Sequence, residues 1–288
     1  MTTAEILKRV RRIEIKTKGL SNHIFAGEYH SAYKGRGMSF SEVREYTPGD
    51  DVKSIDWNVT ARFSHPFVKV YEEERELTVM LLVDISASSL FGTSLRLKRE
   101  LITELCAVLS FSAATNNDKV GIAFFSDKIE KYIPPKKGRS HILRIIRELL
   151  TIEPTTDSGT NVAVALEFLN SVLKKKTITF LMSDFVTPQF EKPLMLSARK
   201  HDLVGIHVFD AADKDLPQLG LLQVQDAETG GTIWIDTDDK QLRTHYAKIF
   251  EQQRRNCAQA FSKSGASLIS IRTDQDYVKT LQGYFKGR

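Results

Sequence analysis

From residue 77 onward, short continuous apolar runs alternate with stretches of helical periodicity. Runs rich in Val, Ile and Phe are typical of strands that are buried on both faces of a sheet. The stretches between them repeat apolar residues at i, i+3, i+4 and i+7, which indicates amphipathic helices. The alternation predicts a doubly wound α/β fold with a mostly parallel sheet and helices on both faces. The predicted core strands are Thr78–Val83, Val120–Phe125, Thr177–Met182, Leu203–Phe209 and Ser267–Ile271, and Leu221–Gln225 with Thr232–Asp236 form a predicted hairpin.

The first 76 residues follow a different pattern, and we expect them to form a small module packed on the α/β core of residues 77–288. Residues 1–20 predict a short amphipathic helix. Residues 21–76 are rich in turn residues, aromatic residues and charges of both signs. The segment Tyr46–Asp51 is a strong turn signal, because its proline presets one backbone angle and its glycine permits the next. This region is too small to be a comfortable independent domain. The predicted apolar face of the N-terminal helix is Ile6, Leu7, Val10 and Ile13.

Composition and charge narrow the class of protein without identifying a function. Of the 288 residues, 41% are apolar and 27% are charged, as in ordinary globular proteins. No apolar run is long enough to span a bilayer and no secretory signal is visible, so we expect no membrane span. Two cysteines cannot form a disulfide framework, which favours a reduced, cytoplasmic protein. The basic excess lies mainly after residue 240 and is not interleaved with aromatic residues, so we do not expect nucleic-acid binding.

Several predicted core strands end in an acidic residue, and Asp84 has the most suggestive neighbours. Asp84, Ser86 and Ser88 place one carboxylate and two hydroxyls at alternate positions of the loop after the first core strand. Asp184 ends another core strand, and Thr160 opens the helix that leads to it. Ligands of open parallel sheets bind at the carboxyl ends of the strands, where the strand order reverses. Two carboxylates with neutral hydroxyls suit Mg²⁺ or Mn²⁺, and so few strong donors leave an open coordination position.

This constellation makes residues 77–288 resemble a von Willebrand factor A-type domain. Its five oxygen-bearing residues match the metal-ion-dependent adhesion site of that family, in which a carboxylate of a partner completes the coordination of the ion. Ala87 stands where glycine is frequent, and Phe185 follows the last aspartate where glycine is common. The resemblance implies a six-stranded sheet of order 3-2-1-4-5-6 with a tight hairpin between its second and third strands. Val120–Phe125 and Ile129–Ile133 fit that hairpin.

A long signature precedes the A-type domain and makes the chain resemble the domain-of-unknown-function family 58 (DUF58), bacterial proteins that join the two. Members are often associated with MoxR-type AAA+ ATPases, so the resemblance implies a chaperone-like or assembly role with such an ATPase, or its client, as the partner. Longer members carry transmembrane segments ahead of the signature, and this sequence shows none. The signature consists of Gly35–Gly37, Val43–Asp51, Ile55–Arg62 and Glu73–Glu76.

We therefore expect a non-enzymatic binding protein that captures a protein partner through a metal site. The chain has no Gly-x-x-x-x-Gly-Lys phosphate loop, so we do not expect it to hydrolyse ATP itself. The loops that should border the ion place four residues on the expected partner rim: Phe185, Ser89, Leu90 and Phe91.

Three alternatives remain open. Asp84 could serve a metal-dependent phosphotransfer or hydrolase reaction, although such enzymes usually need a nearby lysine or second aspartate to balance phosphate charge, and the residues beside Asp84 supply none. The metal site could be empty and the A-type domain purely structural, because serines after a strand often only cap a helix. Asp50, Asp51 and Asp56 could bind a nuclease metal, but their surroundings are balanced in charge and favour ion pairs.

Overall fold

In a computed structural model, the described residues are 39–63, 65–72, 77–93, 96–153, 159–225 and 231–287, together with positions 5, 8 and 11. They form two compact units, one within residues 33–77 and one that contains residues 78–288. Parts of three predictions lie outside the described residues. These are the apolar face of the N-terminal helix (Ile6, Leu7, Val10 and Ile13) and the signature segments Gly35–Gly37 and Glu73–Glu76.

The smaller unit is built on a two-stranded antiparallel sheet of β1 (Ser39–Glu45) and β2 (Phe67–Glu72). The chain between them forms a 3-10 turn (Val52–Ser54) and helix α1 (Trp57–Phe63). An additional bridge between Ile55 and Val68 ties this connection back to β2.

The nuclease alternative assigns a metal to Asp50, Asp51 and Asp56. In this unit each of the three instead accepts hydrogen bonds that hold a backbone turn. Asp50 accepts two hydrogen bonds from the Arg44 guanidinium (2.8 and 2.7 Å) and one from the Thr47 N–H (2.9 Å). These bonds hold the pKa of Asp50 well below its usual value. Asp51 caps the 3-10 turn, and Asp56 accepts a hydrogen bond from a backbone N–H in the first turn of α1 (3.0 Å). This geometry argues against the nuclease alternative.

The larger unit contains a six-stranded sheet whose order is the one that the resemblance implies. Its strands in chain order are β3 (Thr78–Asp84), β4 (Lys119–Phe125), β5 (Ile129–Lys136), β6 (Ile178–Ser183), β7 (Asp202–Phe209) and β10 (Ser267–Arg272). Their spatial order is β10-β7-β6-β3-β4-β5, which is 6-5-4-1-2-3 when counted along the core. All neighbours are parallel except β4 and β5, which form the predicted hairpin. The doubly wound fold is confirmed, as is the separate hairpin of β8 (Leu221–Gln225) and β9 (Thr232–Asp236).

Helices cover both faces of this sheet. The helices are α2 (Lys98–Thr115), α3 (Arg139–Thr151), α4 (Val162–Val172), α5 (Glu191–Lys200), the short α6 (Ala211–Lys214), α7 (Lys240–Ser264) and α8 (Tyr277–Lys286). Alternate strand residues such as Met80, Leu82 and Leu181 pack in one core with α4, α5 and α7. On the opposite face, Phe180 meets Phe285 of α8 with 6.5 Å between the ring centroids. Among the described helices, none is both long and apolar enough to cross a membrane.

Helix α7 matters for the site because it reaches past the sheet. Its last turns pack tightly on β7, where a Cβ atom at Gly205 would come within 2.5 Å of the Phe261 ring. Twenty-five residues give the helix a length of about 37 Å, more than the eight residues of β7 can span. Its N-terminal half therefore stands beside the carboxyl edge of the sheet. There Tyr246 donates a hydrogen bond to the Ala212 carbonyl (3.1 Å).

Candidate metal centre

The two candidate aspartates lie at the ends of neighbouring parallel strands. Asp84 is the last residue of β3, and Asp184 directly follows β6, which pairs with β3 in parallel. The Ser183 hydroxyl donates a 2.6 Å hydrogen bond to Asp84 Oδ2 and so links the two strand ends. The loops after β3 and β6 leave the sheet at the point where the strand order reverses. The fold thus brings both carboxylates to the predicted edge.

The loop after Asp84 folds its two serine hydroxyls together. The Ser86 N–H donates to Asp84 Oδ1 (2.9 Å), and the hydroxyls of Ser86 and Ser88 are 3.0 Å apart. Ser86 precedes a 3-10 turn (Ala87–Leu90), yet among the described residues its hydroxyl pairs with Ser88 and caps no N–H of that turn. The simple helix-cap explanation of these serines therefore does not apply to Ser86.

The fifth candidate ligand, Thr160, lies on a third loop. Its segment is held by two hydrogen bonds: Asn161 N–H donates to the Ser126 carbonyl (2.8 Å), and the Thr187 hydroxyl donates to the Thr160 carbonyl (3.0 Å). Thr187 belongs to the loop that follows Asp184, so Thr160 is tied directly to it. Among the described residues the buried Thr160 hydroxyl has no hydrogen-bond partner. A buried polar atom left unpaired is costly, and an unseen ion is one recognised reason for it.

Phe185 and Ser89, both expected on the partner rim, are buried side chains. Phe185 is 7% exposed, and its ring packs edge-on against Phe261 with 5.3 Å between centroids. Its φ of +56° is unusual for a bulky residue, which explains why glycine is common here in the A-type family. The Phe185 N–H donates to the Ser183 hydroxyl (2.9 Å) and helps to hold this conformation. The next residue, Val186, is 50% exposed.

Leu90 and Phe91 agree better with the rim prediction. They are 42% and 41% exposed and directly follow the serine loop. Together with Val186 they place three exposed apolar side chains on the loops that carry the candidate ligands.

Burial and mutual repulsion raise the pKa of Asp84 to about 6. Asp84 is 3% exposed, and desolvation of its charged form is the larger cause, followed by the charge of Asp184. The hydrogen bonds from Ser183 and Ser86 oppose the shift without cancelling it. The charge of Asp184 thus disfavours the ionised form of Asp84, whereas a bound divalent cation would favour it.

Lys98 is a charged residue of this site that the sequence analysis missed. It begins α2, and its Nζ lies 2.8 Å from Asp213 Oδ2 and 3.4 Å from Asp184 Oδ2. Burial alone lowers the pKa of Lys98, but the two aspartate charges outweigh it and raise that pKa above its usual value. The residues beside Asp84 in the chain supply no lysine, but the fold brings Lys98 to the acidic cluster. One signal was available, because a lysine in the first turn of a helix opposes the helix dipole and needs a local reason.

A cavity of about 490 Å³ opens beside Asp184, between the loop after β6 and the N-terminal half of α7. Ser88, Lys98 and Asp184 line its polar side. Its other walls are largely aromatic and include Phe91, Phe209, Tyr246 and Phe250. Burial lowers the pKa of His207, another lining residue, to about 4, so this imidazole is neutral at pH 7.

Comparison with known proteins gives a family match over most of the chain. The sequence model of the family described as "Protein of unknown function DUF58" matches residues 42–256. The uncharacterized protein Rv1480 of Mycobacterium tuberculosis (strain ATCC 25618 / H37Rv) is 31% identical over 282 residues. That match covers 97% of this chain and 88% of Rv1480.

A solved structure with a TM-score of 0.50 shows a similar fold at low sequence identity. The conserved hypothetical protein BatB from Bacteroides thetaiotaomicron matches with a TM-score of 0.50 and 17% identity, over 73% of this chain and 98% of BatB. The VWA domain of SpRpn10 matches with a TM-score of 0.40 and 10% identity, over 72% of this chain and 93% of that domain.

Proposed function

The chain belongs to the DUF58 family of proteins of unknown function, and from this premise we propose that it is a non-enzymatic binding protein. Its adhesion-type site holds Mg²⁺ or Mn²⁺ and uses the ion to engage a protein partner. The observation that carries the proposal is that the buried Thr160 hydroxyl has no hydrogen-bond partner among the described residues, while the Thr160 carbonyl is bonded to the loop that contains Asp184.

The proposed metal ligands are Asp84, Ser86, Ser88, Thr160 and Asp184. Two carboxylates and three hydroxyls are hard oxygen donors, as Mg²⁺ and Mn²⁺ prefer. Within the described part of the chain no three His, Cys, Asp or Glu side chains cluster as a metal site, so the ligand set relies on hydroxyls. The three carboxylates of Asp84, Asp184 and Asp213 exceed the one ammonium of Lys98 by two negative charges. One divalent cation balances that excess.

The partner completes the coordination with a carboxylate of its own. An isolated contact between a carboxylate and a metal is weak, so the surrounding surface has to supply most of the contact area. Leu90, Phe91 and Val186 offer exposed apolar surface for it. The family resemblance makes a MoxR-type AAA+ ATPase, or a client presented to it, the first candidate for the partner, in a chaperone-like or assembly role. The two unpaired, buried cysteines fit the reducing cytoplasm of a bacterium.

The test is a calorimetric titration of the full chain against its cognate MoxR-type ATPase, with Mg²⁺ and with EDTA. Binding should require Mg²⁺ and be lost in Asp84→Ala. Asp127→Ala is the matched control, because Asp127 is an exposed aspartate that follows β4 at the same edge of the sheet. Tight binding that ignores both EDTA and Asp84→Ala would contradict the metal bridge, and no binding at all would remove this ATPase as a candidate.

Lys98 favours a second candidate function, a metal-dependent phosphotransfer or hydrolase reaction at Asp84. Such a reaction needs a cation beside the acidic cluster, and Lys98 supplies one. However, its ammonium is 2.8 Å from Asp213 and its side chain is only 5% exposed. The ammonium is therefore already paired with a carboxylate and poorly placed to contact the phosphate of a substrate. Incubation with a generic phosphoester and Mg²⁺ decides between the two functions. Turnover that disappears in Asp84→Ala would establish the enzyme and displace the binding proposal.

A further inference from the structure

Lys98 occupies a position that disfavours a positive charge in two ways. Its side chain is 5% exposed, and buried lysines are rare unless they are paired. It also lies in the first turn of α2, where the helix dipole repels cations. The carboxylates of Asp184 and Asp213 provide the compensation, at 3.4 Å and 2.8 Å from Nζ. The face of the Phe91 ring lies over the ammonium at 5.5 Å.

The two carboxylates around Lys98 belong to different parts of the molecule. Asp184 is a proposed metal ligand, and its other oxygen accepts a hydrogen bond from the Val186 N–H (3.2 Å). Asp213 lies in α6, is not one of the five proposed ligands, and also accepts a hydrogen bond from the Asp210 N–H (2.7 Å). Because Asp213 is the nearer partner, the Lys98 ammonium stays paired with it when Asp184 coordinates a metal ion instead.

We propose that Lys98 is a built-in counter-ion that competes with the divalent metal for Asp184. In the metal-free protein its ammonium neutralises part of the acidic cluster and stabilises the fold. When the ion binds, the ammonium rests on Asp213 alone, and its repulsion of the ion lowers metal affinity. This inference rests on the proposed metal site and adds that the chain itself sets the affinity of that site.

The competition predicts opposite effects on metal affinity for two substitutions. Lys98→Met keeps a long apolar side chain but removes the positive charge, so the metal-free protein should be less stable. Mn²⁺ should then bind about tenfold tighter or more, because a nearby cation no longer repels it. Asp213→Asn keeps an oxygen for the Asp210 N–H but removes the nearest negative partner of Lys98. The ammonium then depends on Asp184, and Mn²⁺ should bind about tenfold more weakly.

The experiment is a calorimetric titration of the full-length protein with Mn²⁺ after dialysis against EDTA, with thermal unfolding recorded before and after metal. Lys176→Met controls for loss of a lysine charge, since Lys176 is exposed and precedes β6 at the opposite edge of the sheet. Asp215→Asn controls for loss of an aspartate, since that side chain is 71% exposed and lies two residues from Asp213. Both controls should bind Mn²⁺ like the wild type.

The outcomes separate this inference from the metal site itself. Tighter Mn²⁺ binding by Lys98→Met with weaker binding by Asp213→Asn supports the competition. If the wild type binds Mn²⁺ but Lys98→Met binds it equally or more weakly, Lys98 only positions Asp184 and the inference is overturned while the site stands. If neither the wild type nor Lys98→Met binds Mn²⁺, both proposals fail. Should Lys98→Met not fold, the Asp213→Asn affinity decides alone, and an unchanged or tighter value overturns the inference.

Discussion

Replacing Asp84 by asparagine is expected to stabilise the metal-free protein relative to the wild type and to abolish the stabilisation that Mg²⁺ gives the wild type. The carboxylate of Asp84 is 3% exposed and lies near Asp184, so its negative charge is costly when no cation balances it. Asparagine is uncharged but keeps an oxygen for the Ser86 N–H, so the loop retains that hydrogen bond. With metal present, the same change removes a charged ligand.

The magnitude follows from the pKa of Asp84, which burial and then Asp184 raise from 3.8 to about 6. A shift of about two pKa units corresponds to about 3 kcal/mol. Because this pKa is higher in the folded state, the ionised group destabilises the fold above pH 6. The penalty disappears as the pH falls from about 6 toward 3.8. Near pH 7.5 the variant should gain up to about 3 kcal/mol, roughly 6 °C in Tm, and near pH 5 about half of that.

Calorimetric unfolding of both proteins in EDTA, at the two pH values, measures this gain directly. Asp127→Asn removes an exposed aspartate at the same sheet edge and should change Tm little under either condition. Addition of Mg²⁺ should raise the Tm of the wild type and leave that of Asp84→Asn unchanged. The reasoning is refuted if the variant is less stable than the wild type in EDTA, or if its gain is the same at both pH values.

Three further predictions address the site and the module. Mg²⁺ at one hundred times its Kd should stabilise the wild type by about 2.7 kcal/mol in thermal unfolding, and Asp184→Ala should show no such shift. Thr160→Val removes a buried hydroxyl that has no partner in the described part of the chain, so chemical denaturation in EDTA should show a gain of about 1 kcal/mol. Calorimetry should show weaker Mn²⁺ binding by this variant, and a loss of stability in EDTA would contradict the unpaired state. We propose that the N-terminal module packs on the core and unfolds with it, so a truncated chain of residues 77–288 should melt at a lower temperature or aggregate. A truncated chain as stable as the full-length protein would contradict that packing.

The strands were predictable because their apolar runs are continuous and local. Thr78–Val83 and Leu203–Phe209 differ by one residue from the observed strands β3 and β7. The order of the strands was not derivable from these runs, since it depends on long-range pairing, and it came from the resemblance. The sequence pattern was sufficient to place Asp84 and Asp184 at strand ends, whereas the pairing of those two strands came with the order that the resemblance implied.

The contacts around the site required the structure. Lys98 lies 86 residues before Asp184, and only the packing of α2 against the strand ends brings the two together. The direction of Phe185 depends on a positive φ angle that the local sequence disfavours and that the hydrogen bond to Ser183 helps to hold. The cavity depends on the length of α7 and on its close approach to Gly205. These features arise from tertiary packing, which the local sequence does not specify.

The central claim is that five oxygen-bearing side chains at the switch point of the sheet hold one divalent ion. Crystals of the protein grown with Mn²⁺ test it most directly through an anomalous difference map. The account predicts a single strong peak among Asp84, Ser86, Ser88, Thr160 and Asp184, with the Thr160 hydroxyl turned toward the ion. A map with no peak among these five residues would contradict the claim, whether or not Mn²⁺ is bound elsewhere in the crystal.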